Sequence, residues 1–544
     1  MSEPFLEEQE IAPASSKSIF HRKQSMSVST IILLVANLLK NASMFLINIV
    51  IAAVFGASYL TDAFFLAYLL TVRLGIVMTG CIHFTFVPSY SGFRATRSDE
   101  EVRALTNAFF NNILLLTLIG TIVFFVGAPI VIKLFCFDAD SAAQLVTVHI
   151  TRALSPTLFF FMAFALLQAL LISHKIFLAP SVASLLVPAG LFAGLFLLPK
   201  SLGIYSLAIG LIIGSAVQCL VPVPVVRGLG HRYQPVLLWN TPEISGMRRD
   251  ALGIAVIAVL GQIVIAADRI FASRLAEGSV SALTYAATLT RLAPFILYFS
   301  LLTSAFPTMS EMAAQGRFKE FQGLINQLFR LIGLVMVPVT ATFMYLGLPI
   351  VQLLLQHGKF DREAAALTNT AIQYYAPGFL AFALQGPFVQ AFFVLKKIRF
   401  SVIWSLATVL VTLCLNYALL AVFGFKGLPL AYSTAMYLHL AVCFVAIKVF
   451  VKGFHFEKAQ REFCVMLASG AVMAAVLKLT SGWLHAPVTS KEMLDTLFRI
   501  AVPGACGLCA YVGSLLLLRS EDLRFLIAKV RSWGRPRTQI STAS

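Results

Sequence analysis

Apolar stretches of about 20 residues or more, almost free of charge, recur along the whole chain, and in a bilayer such a stretch can satisfy its own backbone only by closing every N–H and C=O within itself as an α-helix. They fall near 28–54, 62–88, 106–134, 150–173, 178–198, 203–225, 250–272, 281–306, 328–355, 367–395, 400–423, 427–450, 463–483 and 496–518. Runs this continuous exclude the alternating pattern of a membrane barrel. With 59% hydrophobic and 12% charged residues among 544, and a mean hydropathy of +0.87, a soluble fold would lack the polar surface to cover its core. The expected fold class is all-α integral membrane, with about fourteen transmembrane helices.

The same pattern appears twice. Pro156, Gln168-Ala169 and Lys175 are matched by Pro377, Gln390-Ala391 and Lys396, and Arg73-Leu74 with Pro88 is matched by Arg291-Leu292 with Pro307. Gly203 to Ala208 and Gly427 to Ala431 open a third pair of spans. Six spans separate the copies, so both lobes point the same way, and two lobes that rock about a central site are a common carrier design. The expected division is a cytoplasmic tail at 1–27, a six-helix lobe at 28–235, and a second six-helix lobe at 236–450 that begins with an amphipathic linker. Two extra helices at 451–518 and a basic tail at 519–544 follow. Pro156, Pro294, Pro377 and Pro387 lie in or near spans, where they free carbonyls for a cavity or simply bend a packed helix.

Basic residues set the orientation. With the N-terminus inside, the inner loops carry Arg94, Arg97, Arg103, Arg227, Arg232, Arg248, Arg249, Arg317, Lys319, Lys396, Lys397, Arg399, Lys448, Lys452, Lys458 and Arg461, whereas the outer loops carry chiefly Lys200, Arg274, Lys359, Arg362, Lys426 and Lys491. Both termini are therefore expected in the cytoplasm. The net charge of +17 reads as topology and not as nucleic-acid binding, and the tail from Arg524 to Arg537 suits anionic lipid headgroups. The first 27 residues lack the apolar core of a cleaved leader. Of the eight cysteines, only Cys136 falls outside the spans; Cys506 and Cys509 have a redox spacing but sit in an apolar helix, which favours packing. No phosphate-binding loop, nucleophile elbow or zinc-like cluster occurs, so catalysis has no support and no cofactor is expected.

Charges at bilayer depth are the site candidates. Lys40, Asn41 and Asn48 lie in the first span, Asp62 opens the second, and Arg73 and Arg291 occupy matching places in the two copies. Two guanidinium groups facing an interior would grip phosphate through paired hydrogen bonds; the alternative is that each ties its own lobe together. Asp268, with oxygens from Thr412, Asn416 and Ser433, would hold Na+ or a proton for coupling; the alternative is a plain ion pair with Arg269 or Arg274.

Phe55 to Phe65 (FGASYLTDAFF), followed by Phe86-Val87-Pro88, resembles the opening signature of the MurJ/MviN lipid II flippases of the MOP exporter superfamily. Asp268 to Ser273, then Glu277 to Leu283 and Tyr285-Ala286, is similar to that family's second-lobe signature, and Gln356 to Phe360 to a weaker third. The resemblance spans roughly 28–450. It implies two lobes around a hydrophilic cavity and the outward movement of a polyprenyl-diphosphate-linked glycan, either peptidoglycan precursor or exopolysaccharide unit, across the bacterial inner membrane. The family's cavity arginines are absent: Asn41, Ile47 and Asn48 stand in the first span, Gly75, Ile76 and Gly80 in the second, and Ala287-Thr288 in the eighth. Two alternatives stay open. One is an exporter of small amphiphilic compounds from the same superfamily; the other is a non-transporting scaffold that recruits envelope-synthesis proteins.

Overall fold

The computed structural model describes residues 26–135, 141–297, 301–395, 397–451, 453–483 and 492–524. The expected N-terminal tail through residue 25, Cys136, Lys396, Lys452, Lys491 and the basic tail beyond Arg524 lie outside them. Among the described residues the regular elements are all helical. In chain order they are α1 (Met26–Phe55), α2 (Tyr59–Tyr68), α3 (Leu74–Thr96), α4 (Asp99–Phe135), α5 (Ser141–Leu154), α6 (Pro156–Ser173), α7 (Leu178–Ala183), α8 (Leu186–Leu197), α9 (Tyr205–Leu220) and α10 (Pro222–Gly228). The second half continues with α11 (Pro242–Ala272), α12 (Ser279–Leu297), α13 (Thr303–Ala314), α14 (Phe318–Leu355), α15 (Arg362–Val394), α16 (Ile398–Phe423), α17 (Gly427–Phe450), α18 (Glu457–Trp483) and α19 (Glu492–Leu517). Eleven candidate membrane spans stand among the described residues, and one of them, Arg399–Phe450, runs through both α16 and α17.

By contact the chain forms two compact units: Met1–Ile47, Leu70–Ala128 and Ile150–Ala258 make the first, and Asn48–Leu69, Pro129–His149 and Val259–Ser544 the second. In the first unit α3 packs on α6, and α8 on α9. The α8 and α9 backbones touch through glycine, because a Cβ at Gly190 would sit 2.4 Å from the Gly210 carbonyl oxygen and one at Gly210 only 2.3 Å from that of Gly190. Small residues at four-residue spacing allow this approach where lipid offers no hydrophobic drive. The core of the second unit is built by α14, α15, α17 and α18, with Phe329, Phe388 and Phe456 at its centre.

Proline breaks the helical ladder, and side chains from neighbouring helices repair it. Pro129 in α4 cannot donate to the carbonyl of Phe125, four residues back; Arg152 Nε donates to that oxygen instead, at 3.2 Å. Pro338 in α14 frees the Leu334 carbonyl in the same way, and the Tyr511 hydroxyl of α19 donates to it at 3.1 Å. The paired prolines of the repeat diverge, since Pro156 opens α6 after a break at Ser155 whereas Pro377 lies inside α15.

The linker after α10 has no helical ladder of its own and is strapped to α4 by amides. Asn107 Nδ2 donates to the Arg232 carbonyl (3.1 Å), Asn111 Nδ2 to those of Gln234 and Val236 (2.8 and 2.9 Å), and Asn112 Nδ2 to that of Leu238 (2.8 Å). Alternate carbonyls are used because extended backbone presents them on one side. His231 enters this strap half-buried beside the Phe110 ring, and burial, reinforced by the Arg103 charge, pushes its pKa below the usual imidazole value.

Tyr511→Phe should leave the Leu334 carbonyl unserved and cost about 1–3 kcal/mol of stability in detergent. In a Pro338→Ala background, where residue 338 regains its own N–H, the same change should cost almost nothing; an equal loss in both backgrounds by thermal unfolding defeats the assignment. For His231, the released imidazole takes up a proton near pH 6.5 and the docked one only at lower pH, so docking of the strap weakens as pH falls through and below about 6.5. Hydrogen exchange at 231–240, corrected for intrinsic rates, should therefore accelerate between pH 7.5 and 5.5, and His231→Gln should remove that acceleration.

Candidate functional site

Within the second unit, Phe55 to Phe65 and the two later strings that resemble family signatures come together. Ser58 caps α2 with Thr61, and Asp62, in the next position, reaches across to the start of α12. Its Oδ2 accepts from the Gly278 N–H at 2.8 Å, and its Oδ1 from the Ser281 N–H at 2.7 Å and the Ser281 hydroxyl at 2.5 Å. The first N–H groups of a helix have no partner within it and carry partial positive charge, so a buried carboxylate there is well placed. The Glu277 carboxylate accepts the Tyr59 N–H at 2.9 Å in return. Tyr285 is 1% exposed, packs edge-on against Phe65 and Phe360, and turns its hydroxyl toward the Gly56 carbonyl. The third string joins through the Lys359 N–H, which donates to the Ala53 carbonyl at 2.9 Å.

A second polar centre in the same unit collects residues that the sequence assigned to different tasks. Asp268, 4% exposed, receives the Arg269 N–H and guanidinium on Oδ1, both at 2.9 Å, and the Tyr375 hydroxyl on Oδ2. The Tyr375 and Tyr432 rings meet edge-on at 5.5 Å, and the Tyr432 hydroxyl lies within electrostatic range of Arg291, Asp268 and Arg269. The plain ion pair with Arg269 is thus present, while Arg274 lies over the Phe271 ring. Ser433 donates to the Tyr374 carbonyl, so Asp268 and Ser433 engage adjacent residues of α15. Thr412 and Asn416 stand one turn apart on α16: Thr412 donates back to the Thr408 carbonyl at 2.7 Å, and Asn416, fully buried, has no hydrogen-bond partner at either Oδ1 or Nδ2. Neither tyrosine was among the residues read from sequence as site candidates; the available signal was the Tyr374-Tyr375 pair just before Pro377.

In the first unit, Arg73 closes a π-helical turn, Leu69–Arg73, between α2 and α3. Such turns widen the helix and re-aim one side chain, and they are frequent at functional positions. Lys40 of α1 lies within electrostatic range of Arg73. Asn41 donates to the Asn37 carbonyl of its own helix at 2.8 Å, and Asn48 is half-buried at the start of the second unit's share of α1. At Gly75, where the resemblance leads one to expect arginine, a Cβ would sit 3.1 Å from the Phe161 ring, so the packing of α6 fills the position.

An apolar groove of about 550 Å³ runs between α14, α18 and α19, lined by Leu334, Pro338, Phe343, Met473, Leu508 and Leu523 among others.

Replacing Asp62 by Ala removes the acceptor for three donors, and should cost about 2 kcal/mol or more. Thermal unfolding in detergent measures it; an unchanged midpoint would mean that the α12 N-terminus finds its partners elsewhere.

The family profile described as lipid II flippase MurJ matches residues 51–498. The chain is 26% identical over 402 residues to a probable lipid II flippase MurJ of Buchnera aphidicola subsp. Acyrthosiphon pisum, covering 72% of this chain and 77% of that protein. It is 24% identical over 407 residues to the lipid II flippase MurJ of Burkholderia cenocepacia, covering 73% and 79%. Among solved structures, its fold is similar to a lipid II flippase MurJ in an inward closed conformation, with a TM-score of 0.75 and 21% identity over 91% of this chain and 100% of that one. A multidrug resistance MATE family transporter of the MOP superfamily, inward-facing, aligns with a TM-score of 0.62 and 12% identity over 78% of this chain and 98% of its own. The chain is a multi-pass membrane protein that belongs to the lipid II flippase MurJ family.

Proposed function

We propose that this protein moves a polyprenyl-diphosphate-linked saccharide, lipid II in the first instance, across the bacterial inner membrane by alternating access. The observation that carries this reading is the family match from residue 51 to 498, which takes in both copies of the repeat and all three signature strings. Both termini stand in the cytoplasm, as the distribution of basic loops favours.

The residues assigned to the diphosphate are the cations that the sequence places at bilayer depth, Lys40, Arg73 and Arg291. Cation pairs at bilayer depth are costly, and an anionic cargo offsets that cost in the state that holds it. Asn41 and Asn48 add amide donors along the same first helix, while Asp62 holds the outer end of α12 in place. The polyprenyl tail stays in the bilayer, where the groove of α14, α18 and α19 offers it an apolar bed. Coupling to Na+ or a proton falls to Asp268 with Thr412, Asn416 and Ser433; the unpartnered amide of buried Asn416 suits a polar occupant beside α16. Cargo shifts the lobes only through tighter binding to one of the two states.

Charge-assisted hydrogen bonds to a phosphate are worth about 1.5–3 kcal/mol each, so Lys40→Ala with Arg73→Ala should slow lipid II flipping in reconstituted vesicles by about tenfold or more. Arg291→Ala should do the same, and wild-type rates in both would remove the site. Complementing a strain depleted of its lipid II flippase tests the cargo. Failure there, with loss of a surface polysaccharide on deletion, would reassign it to an exopolysaccharide unit, and resistance to toxic cations on overexpression would point to small-molecule export.

A further inference from the structure

Asp268 of α11 is bonded on both carboxylate oxygens, and the two sets of donors come from different places. Oδ1 receives the N–H and the guanidinium of Arg269, its own neighbour, both at 2.9 Å. Oδ2 receives the Tyr375 hydroxyl, and that bond crosses to α15. The tyrosine is held to this position: it is buried, with its ring set against Phe379 at 5.9 Å and Tyr432 at 5.5 Å. One residue earlier, the Tyr374 carbonyl receives the Ser433 hydroxyl of α17. A Cβ at Gly378 would sit 2.5 Å from Ser433 Oγ, so α17 presses on the same turn. Two of the residues assigned to the coupling ion, Asp268 and Ser433, therefore engage consecutive residues of α15. That turn is also a weak one, because Pro377 has no N–H to give the Gln373 carbonyl.

A hydroxyl that donates to a carboxylate points its hydrogen, the positive end of the bond dipole, at the oxygen that a cation also uses. When Na+ is ligated by Oδ2 the two positive groups repel, and the hydroxyl has to turn away from Asp268. Oδ1 offers no easier approach, since the Arg269 guanidinium already stands there. We propose that Tyr375 is a positioning residue for ion coupling: its hydroxyl competes with the cation for Asp268 Oδ2, and the exchange breaks or restores the link between α11 and α15 beside Pro377. This role rests on the assignment of Asp268 to coupling, and it places the response to the ion in one turn of α15, Gln373 to Gly378.

The test uses the full chain in detergent at fixed pH, with NaCl titrated against choline chloride at constant ionic strength. Two readouts are followed: the thermal unfolding midpoint, which rises with any ligand that prefers the folded state, and hydrogen exchange in the peptide spanning 373–378. In wild type both should change with Na+, and in Asp268→Asn neither should. Tyr375→Phe removes the competing hydroxyl but keeps the ring and its packing. Half-saturation should then fall to about one-tenth of the wild-type Na+ concentration or lower, and exchange at 373–378 should no longer respond. An equal or higher half-saturation in Tyr375→Phe, or an exchange response that persists there, overturns the proposal. The coupling assignment survives that result as long as Asp268→Asn has lost its Na+ response. A Na+ response that persists in Asp268→Asn, or is absent from wild type, removes Na+ coupling at Asp268 and the role of Tyr375 with it. Neither readout involves transport, so both outcomes are separate from failure of the flippase reading.

Discussion

Inside a bilayer every polar group must find a partner within the protein, and this one constraint accounts for most of the specific contacts in the structure. The carbonyls freed by Pro129 and Pro338 are each met by a long side chain from another helix, Arg152 and Tyr511. The open N-terminus of α12 is met by Asp62, and the buried Asp268 by Arg269 and Tyr375. Apolar packing between lipid-facing helices is weakly specific, because lipid competes for the same surfaces. Polar pairs and close glycine contacts such as Gly190 with Gly210 therefore fix which helix sits beside which.

The same constraint organises the function. A flippase of this kind must carry a charged headgroup through a region that excludes charge, and its own buried cations have to be tolerable when the cargo is absent. Lys40 lies within electrostatic range of Arg73, which ends a π-helical turn between α2 and α3. Phe161 occupies the space beside Gly75, so a side chain there would have to displace the ring. In the second unit, Tyr432 lies within electrostatic range of Arg291, Arg269 and Asp268.

Much of the fold was legible in the residues. Uncharged length dictates helices, basic loops favour an orientation, and the duplicated Pro, Gln-Ala and Lys pattern announces two related halves. The site was legible only as a set of intramembrane polar residues. Nothing in local sequence says that Asp62 would cap a helix that starts more than 200 residues later, or that Tyr375 would reach Asp268, since each of these contacts depends on which helices become neighbours. The asparagines at 107, 111 and 112 look like ordinary polar residues of a helix start, yet they hold alternate carbonyls of a distant linker.

The sequence by itself determined that this protein spans a membrane as helices, and that a handful of charges would sit where charge is expensive. Those outcomes follow from hydropathy and period, which are properties of each segment alone. Only the tertiary structure decided the partners of the acids among those charges: Asp62 on the α12 N-terminus, Asp268 between Arg269 and Tyr375. Partner choice is a property of two segments brought together, and hydrophobic patterning, which every span here shares, does not encode it.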